Sequence, residues 1–353
     1  MGQALNRGAG ALQPVGLDIG RSTVKAIADQ DRKVIFPSVY SKRLVKSAWD
    51  EKRKEVDLGV EGERGAEGAV IEAIGEKALE MMKHDGAIVI RPIIEGTVQH
   101  EAAIKLTQEA YRRLNIENPS SVVLVTGLPY NVSVSSINDL EKLLNESLGK
   151  PAQMAIYPQG FGSLIDCGLE SATVINIGHS TTGLLLVEDL TVLGGGKESK
   201  ATDYVVEQVR DSIIRDFGLV PSKETTRNLV ISKEIRVGDT ILIEKIDSIF
   251  DANTVVNRKD IEPALTNAVD FLCEKIEYEV AELHSQLPAM NLGCVKNIVL
   301  SGGFSMLQNP YSGEYMVRRA MEEKMRRPVV CPRDPLFSEA TGYYKMAVEL
   351  AET

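Results

Sequence analysis

Two short segments of this chain repeat at a fixed distance, and no single residue restricts the fold as much. Laid over Ile175-Asn176-Ile177-Gly178-His179-Ser180-Thr181, the segment Leu17-Asp18-Ile19-Gly20-Arg21-Ser22-Thr23 matches at four of seven positions, at the offset of 158 that separates Gly20 from Gly178. Each copy closes an apolar run (15–19 and 173–177), turns on Gly and hydroxyl residues, and is followed by a second apolar run (23–28 and 184–187). Both therefore read as tight hairpins. The same local unit in both halves predicts a duplicated domain. The 353 residues also exceed what one core usually fills.

The segments between fit that plan. A third strand is expected at 34–36, an inserted charged loop at 51–68 and a helix at 69–82. A further helix at 101–114 feeds a buried strand at 122–126, which Gly127 and Pro129 should break, before a helix at 137–148. In the second half, Val205, Val209, Ile213 and Phe217 recur at helical spacing within 204–217. Leu265, Ala268, Leu272, Ile276, Val280, Leu283 and Leu287 form one stripe of a long helix at 264–287, leading to a strand at 297–300. Alternating strands and helices with two hairpins predict α/β domains with helices on both sheet faces.

Composition removes several function classes. No apolar run approaches the about 18 residues that span a bilayer. The opening residues lack the apolar core of a secretion signal and read as a loose tail, so a cytoplasmic protein is expected. Cys167, Cys273, Cys294 and Cys331 show no metal-site spacing, which suits a reducing compartment. A net charge of -10 disfavours nucleic acid and anionic lipid as partners. The local exception is 42–55, where six basic residues surround Trp49; it reads either as a partner surface or as a solvated loop.

Glycines and small hydroxyl residues at both turns let backbone N–H groups approach an anion without obstruction, so two such turns suit a polyphosphate. Lys25 can neutralise phosphate charge, and Asp18 can hold Mg²⁺ through its water shell, since Mg²⁺ keeps several waters. Each hairpin alone reads better as an ordinary glycine turn with a surface Lys and Asp; the pair is what points to a nucleotide. Ile298-Val299-Leu300-Ser301-Gly302-Gly303-Phe304-Ser305 adds a buried strand ending in Gly-Gly, against which a flat ring can lie.

With these residues in place the chain resembles the actin superfamily, which also holds chaperone ATPases and sugar kinases. Residues 16–25 resemble its first phosphate motif, 176–181 the second and 300–305 the adenosine motif. Val125-Thr126-Gly127-Leu128-Pro129 and Glu339-Ala340-Thr341-Gly342 resemble the two connecting segments. Arg91-Pro92-Ile93-Ile94-Glu95-Gly96 and Tyr157-Pro158-Gln159-Gly160 are most similar to prokaryotic filament-forming actins: archaeal and plasmid-segregation actins first, then cell-shape and magnetosome-aligning ones. The resemblance implies two duplicated ribonuclease-H-like domains around a nucleotide cleft, with a flexible tail at 1–13, domain I at 14–172 plus 330–353, and domain II at 173–329. The chain's end at Thr353 and its length are taken to disfavour a chaperone and a carbohydrate kinase.

The implied ligands are ATP or ADP with Mg²⁺. Gly20, Arg21, Ser22, Thr23, Lys25, Gly178, His179, Ser180 and Thr181 would contact phosphates, and Asp18 the Mg²⁺ water shell. Gly302, Gly303 and Phe304 would border the adenosine, with Lys223, Glu224 and Arg227 over the ribose and base, although these three also suit a solvated helix start. Gln159 is the candidate for orienting the attacking water, or else a loop residue capping backbone groups. Asn176 stands where the family carries Asp, and Gly183 replaces the hairpin's second Asp; Asn keeps the shape and loses the charge, so hydrolysis is expected to be slow. The implied partner is the chain itself in a head-to-tail filament timed by the ATPase, together with an adaptor protein. The alternatives are a monomeric small-molecule kinase on the same fold, or a nucleotide-binding regulator that barely hydrolyses.

Overall fold

The computed structural model describes residues 12–29, 31–44, 70–82, 87–94, 97–198, 200–231, 234–237, 240–251, 254–287, 293–309 and 312–353. The expected loop at 51–68 and most of the basic stretch at 42–55, Trp49 included, lie outside them. Two compact units emerge: one within Met1–Thr126, Val132–Ile156 and Ala347–Thr353, the other within Gly127–Asn131 and Tyr157–Met346.

The first unit is built on a five-stranded sheet with the order Gln153–Pro158, Val122–Leu128, Gln13–Ile19, Thr23–Ile27, Lys33–Pro37. Gln13–Ile19 runs parallel to Val122–Leu128 and antiparallel to Thr23–Ile27. Val122–Leu128 is buried at every residue, as a parallel strand covered on both faces must be, and its Val-rich run supplies side chains suited to that place. The helix His100–Arg113 lays Ala102, Ala103, Leu106 and Ala110 against the sheet; its alanines allow a close approach. Glu101 begins that helix and Arg112 and Arg113 end it, as its dipole favours.

A smaller sheet of Val70–Ile74, Tyr40–Leu44 and Ala87–Ile90 belongs to the same unit. It corrects the expected helix at 69–82, where only Glu76–Met81 is helical. Short apolar runs carry no decisive period. Gly75, at φ +65°, ends the strand and opens the helix, a conformation that other residues rarely adopt.

The second unit repeats the plan of the first. Its sheet has the order Thr191–Glu198, Thr182–Glu188, Ala172–Ile177, Ile298–Ser301, Val329–Val330. Ala172–Ile177 is again antiparallel to the strand that follows it and parallel to a distant one. Helices Thr202–Phe217 and Glu262–Ser285 cover it, and Val205, Val209, Ile213, Leu265, Leu272, Ile276 and Val280 all fall in one buried cluster. The expected stripes are thus the packed faces. Between the two helices the chain forms the helix Lys223–Val230, capped by Ser222, and two short hairpins, Ile235–Val237 with Thr240–Ile243 and Ser248–Phe250 with Val255–Asn257.

The strand Val122–Leu128 also runs through Gly127, where a break was expected. A Cβ there would lie 1.8 Å from the Tyr343 hydroxyl oxygen, and Tyr343 is fully buried, so Gly127 is present to admit the ring. A contact of the same kind joins the helices Phe161–Asp166 and Ser338–Glu352. A Cβ on Gly342 would lie 1.8 Å from the Gly162 carbonyl oxygen, and one on Gly162 would lie 2.4 Å from the Glu339 carbonyl oxygen. Both neighbours are backbone and cannot rotate away. Gly342→Ala is therefore expected to cost about 3 kcal/mol or more, at the upper end of overpacking effects. Urea unfolding measures it, and a loss within about 0.5 kcal/mol, the usual range for surface changes, would refute the contact.

Candidate functional site

In the first unit, Asp18 faces Lys25 and Ile19 faces Val24 across the hairpin, and the Gly20 N–H donates to the Thr23 carbonyl at 3.1 Å. Lys25 Nζ donates to Asp18 Oδ2 at 2.7 Å, with only 13% and 8% of the two side chains exposed. The expected cation and the expected Mg²⁺ residue thus hold each other. The Ser38 N–H donates to the Ser22 carbonyl at 2.9 Å, and Arg91 Nη1 reaches the carbonyls of Arg21 and Ser38 at 3.4 Å. Arg91, quoted above only for its family likeness, therefore braces the first turn. Arg21 itself is exposed, and Ser22 and Thr23 are half-buried.

The second turn is shaped by a helix. The Thr202 hydroxyl donates to the Gly178 carbonyl at 2.7 Å and the Asp203 N–H to the His179 carbonyl at 2.8 Å. In a trans peptide plane the C=O and the following N–H point opposite ways. With the carbonyls of 178 and 179 turned to the helix, the N–H groups of His179 and Ser180 are turned to the other side together, the arrangement an anion needs. Gly178 closes the turn through a 3.0 Å bond from its N–H to the Thr181 carbonyl, as Gly20 does in the first.

Ser301 pairs with Asn176 in register, and Gly302, at φ +91°, crosses the end of the strand Ala172–Ile177. A Cβ on Gly302 would lie 2.3 Å from the Ile177 carbonyl oxygen and 2.7 Å from Asn176 Oδ1, so only glycine fits. The segment that resembles an adenosine motif and the second turn are thereby brought together in one unit. Gly303 continues into a short 3-10 turn, and Phe304 is buried in the core of that unit.

The three helix residues separate. Arg227 turns to the second turn, its Nη2 lying 2.9 Å from His179 Nε2 and 3.5 Å from Asp203 Oδ1. Lys223 pairs with Glu207, whose carboxylate holds the ammonium above the ordinary lysine range. Glu224 is exposed. Gln159 is half-buried between the strand Gln153–Pro158 and the helix Phe161–Asp166, with its N–H donating to the Leu128 carbonyl at 2.7 Å.

Two acids went unassigned above. Asp203 accepts from Ser180 Oγ at 2.9 Å and lies 3.1 Å from His179 Nε2. Glu339, 4% exposed, accepts from the Gly160 N–H at 2.9 Å and from Ser163 Oγ at 2.8 Å, which fixes the segment just after Gln159. The sequence shows Asp203 as an acid at a helix start behind a glycine-rich strand and Glu339 as an acid within a Ser-x-Ala segment, and neither feature places the acid beside its partners.

Comparison with known proteins bears on the fold. Residues 16–162 match the family described as actin like proteins, N terminal domain. Among solved structures, MreB5 of Spiroplasma citri bound to AMPPNP superimposes with a TM-score of 0.70 at 16% identity, over 96% of each chain. The chain has the actin-like fold. MamK in a double helical filament gives a TM-score of 0.67 at 17% identity over 95% of this chain and 98% of the other, and an archaeal actin homolog gives 0.63 at 17% over 96% and 100%. No curated protein matches the sequence. The recognition drawn from the five motifs is borne out, and the actin-like plan accounts for the two equivalent sheets.

The ion pair of the first turn can be tested alone. Lys25→Met strands a nearly buried carboxylate and should cost roughly 3 kcal/mol, whereas Asp18→Asn with Lys25→Met should cost about 1 kcal/mol or less, because breaking a buried pair hurts more than replacing it. Chemical denaturation of both variants checks this; equal losses would show that the pair is not coupled.

Proposed function

We propose that this actin-like chain binds ATP and assembles head to tail into filaments whose growth follows the state of the nucleotide. The observation that carries this is the pair of equivalent glycine turns, with Gly302 packed on the end of the strand that leads into the second. Support also comes from proteins of the same fold: MreB5 was solved with AMPPNP and with ADP, and MamK as a filament. Gly20 to Thr23 and Gly178 to Thr181 take the phosphates, Gly302 to Phe304 border the adenosine, and Lys223 and Glu224 cover the sugar side.

Mg²⁺ prefers one or two carboxylates with phosphates and water over a cage of side chains. The residues fit such an ion, since Asp18 is one carboxylate at the first turn, and no group of three metal-ligating side chains occurs among the described residues. When bound with the nucleotide, the ion supplies charge neutralisation; Asp18 would hold it through water. Lys25, now on Asp18, is then available to a phosphate oxygen. Gln159 orients a water, and Asn176 positions it without taking its proton, which makes turnover slow. Cytoplasmic location fits this reading, and no helix among the described residues is long and apolar enough to cross a membrane.

A second reading, a nucleotide-binding scaffold that barely hydrolyses, is favoured by Asn176 facing Gly183 where an acid would be needed. One experiment separates the two. High-speed sedimentation with Mg-ATP, Mg-ADP or no nucleotide, assaying phosphate in the same tubes, should give ATP-dependent pelleting with slow release. Asn176→Asp should raise release by roughly a hundredfold, the lower end of what a positioned acid or base contributes. Pelleting without any release in either protein would leave the scaffold, and a protein soluble throughout would end the filament reading.

A further inference from the structure

The two turns differ in one respect that points to a residue of the second. At the first turn, an acid and a cation face each other across the hairpin as Asp18 and Lys25. Their equivalents at the second turn are Asn176 and Gly183, also paired in register, so both charges are missing together. The second turn nevertheless has an acid and a cation. They arrive from two helices, Asp203 from the first turn of Thr202–Phe217 and Arg227 from Lys223–Val230, and meet His179 at the tip.

The two partners are unequally satisfied. The Asp203 carboxylate takes Ser180 Oγ on one oxygen and lies 3.1 Å from His179 Nε2 on the other, and its N–H is spent on the His179 carbonyl. The Arg227 guanidinium stands 3.5 Å from that carboxylate, beyond a good hydrogen bond, and its buried Nε has no acceptor among the described residues. A guanidinium offers a fork of donors that matches phosphate oxygens two at a time. Turning from Asp203 to a phosphate would therefore gain bonds for Arg227 and leave Asp203 the bond it accepts from Ser180.

We propose that Arg227 is the positioning cation of the second turn: His179 and Asp203 hold it in place until the terminal phosphate of a nucleoside triphosphate draws it off. This rests on the nucleotide reading above and moves Arg227 from the ribose side to the phosphate side. A cation reserved for the terminal phosphate makes affinity depend on phosphate number.

Binding of AMPPNP and of ADP in Mg²⁺ buffer would be measured on the full chain and on Arg227→Gln and Arg227→Lys, together with amide exchange in the absence of nucleotide. Arg227→Gln should weaken AMPPNP by about tenfold, the scale of one hydrogen bond to a charged group, and ADP by less than about threefold. Arg227→Lys should recover much of the AMPPNP loss. Without nucleotide, residues 178–181 should exchange faster in Arg227→Gln while 172–177 keep their protection. Equal weakening of both nucleotides, or of neither, overturns the assignment and leaves nucleotide binding standing. A wild-type chain that binds neither overturns both.

Discussion

The carbonyls of Gly178 and His179 accept from the first turn of the helix Thr202–Phe217, and the chemistry open to the second turn follows from that capping. A helix begins with N–H groups that need acceptors. Here the turn supplies them, so the helix start is not itself an anion site; the free direction passes instead to the N–H groups of the turn. Because the helix is anchored in the core through Val205, Val209 and Ile213, the turn inherits the rigidity of the core. A preorganised pair of donors loses little on binding, which is what a polyphosphate site requires.

The same economy explains Gly302. Its backbone must pass within contact of the Ile177 carbonyl for the strand Ile298–Ser301 to lie parallel to Ala172–Ile177 and still turn away above it. Any side chain would push the two strand ends apart. Asn176 Oδ1 borders the same contact, and the residue across the hairpin from it, Gly183, offers no charged partner. In the first hairpin the equivalent position is fixed by the pair of Asp18 and Lys25. One duplicated frame thus carries an ion pair at this position in one copy and an uncharged, closely packed strand end in the other.

Much of this was legible in the sequence because the features involved are local or periodic. The offset repeat located both hairpins, and the stripes of the helices Thr202–Phe217 and Glu262–Ser285 located their buried faces, since apolar spacing is a direct consequence of one-sided packing. The helix expected at 69–82 failed because a five-residue strand and a six-residue helix joined at Gly75 leave no period to read. Gly127 failed for a different reason: the residue that needs its missing side chain, Tyr343, is more than two hundred positions away. Asp203 and Arg227 are close to the turn only because two helices fold back onto it. Spacing along the chain carries no trace of that, and a resemblance placed Arg227 with its helix neighbours, although its side chain points elsewhere from theirs.

Charge sets the final condition on any polyphosphate ligand. The chain carries a net charge of -10, so its overall field opposes an incoming anion. That field is screened within a Debye length of about 8 Å at physiological salt, whereas groups in contact with the ligand are not. Attraction must therefore come from a few groups at short range, and each turn has one cation suited to it, Lys25 in the first and Arg227 in the second. Each lies beside a carboxylate, Lys25 beside Asp18 and Arg227 beside Asp203. Pairing lets the protein keep a nearly buried lysine and a half-buried arginine without leaving either charge uncompensated, and under the proposed function a phosphate would exchange one anionic partner for another instead of meeting a site that had to form from nothing.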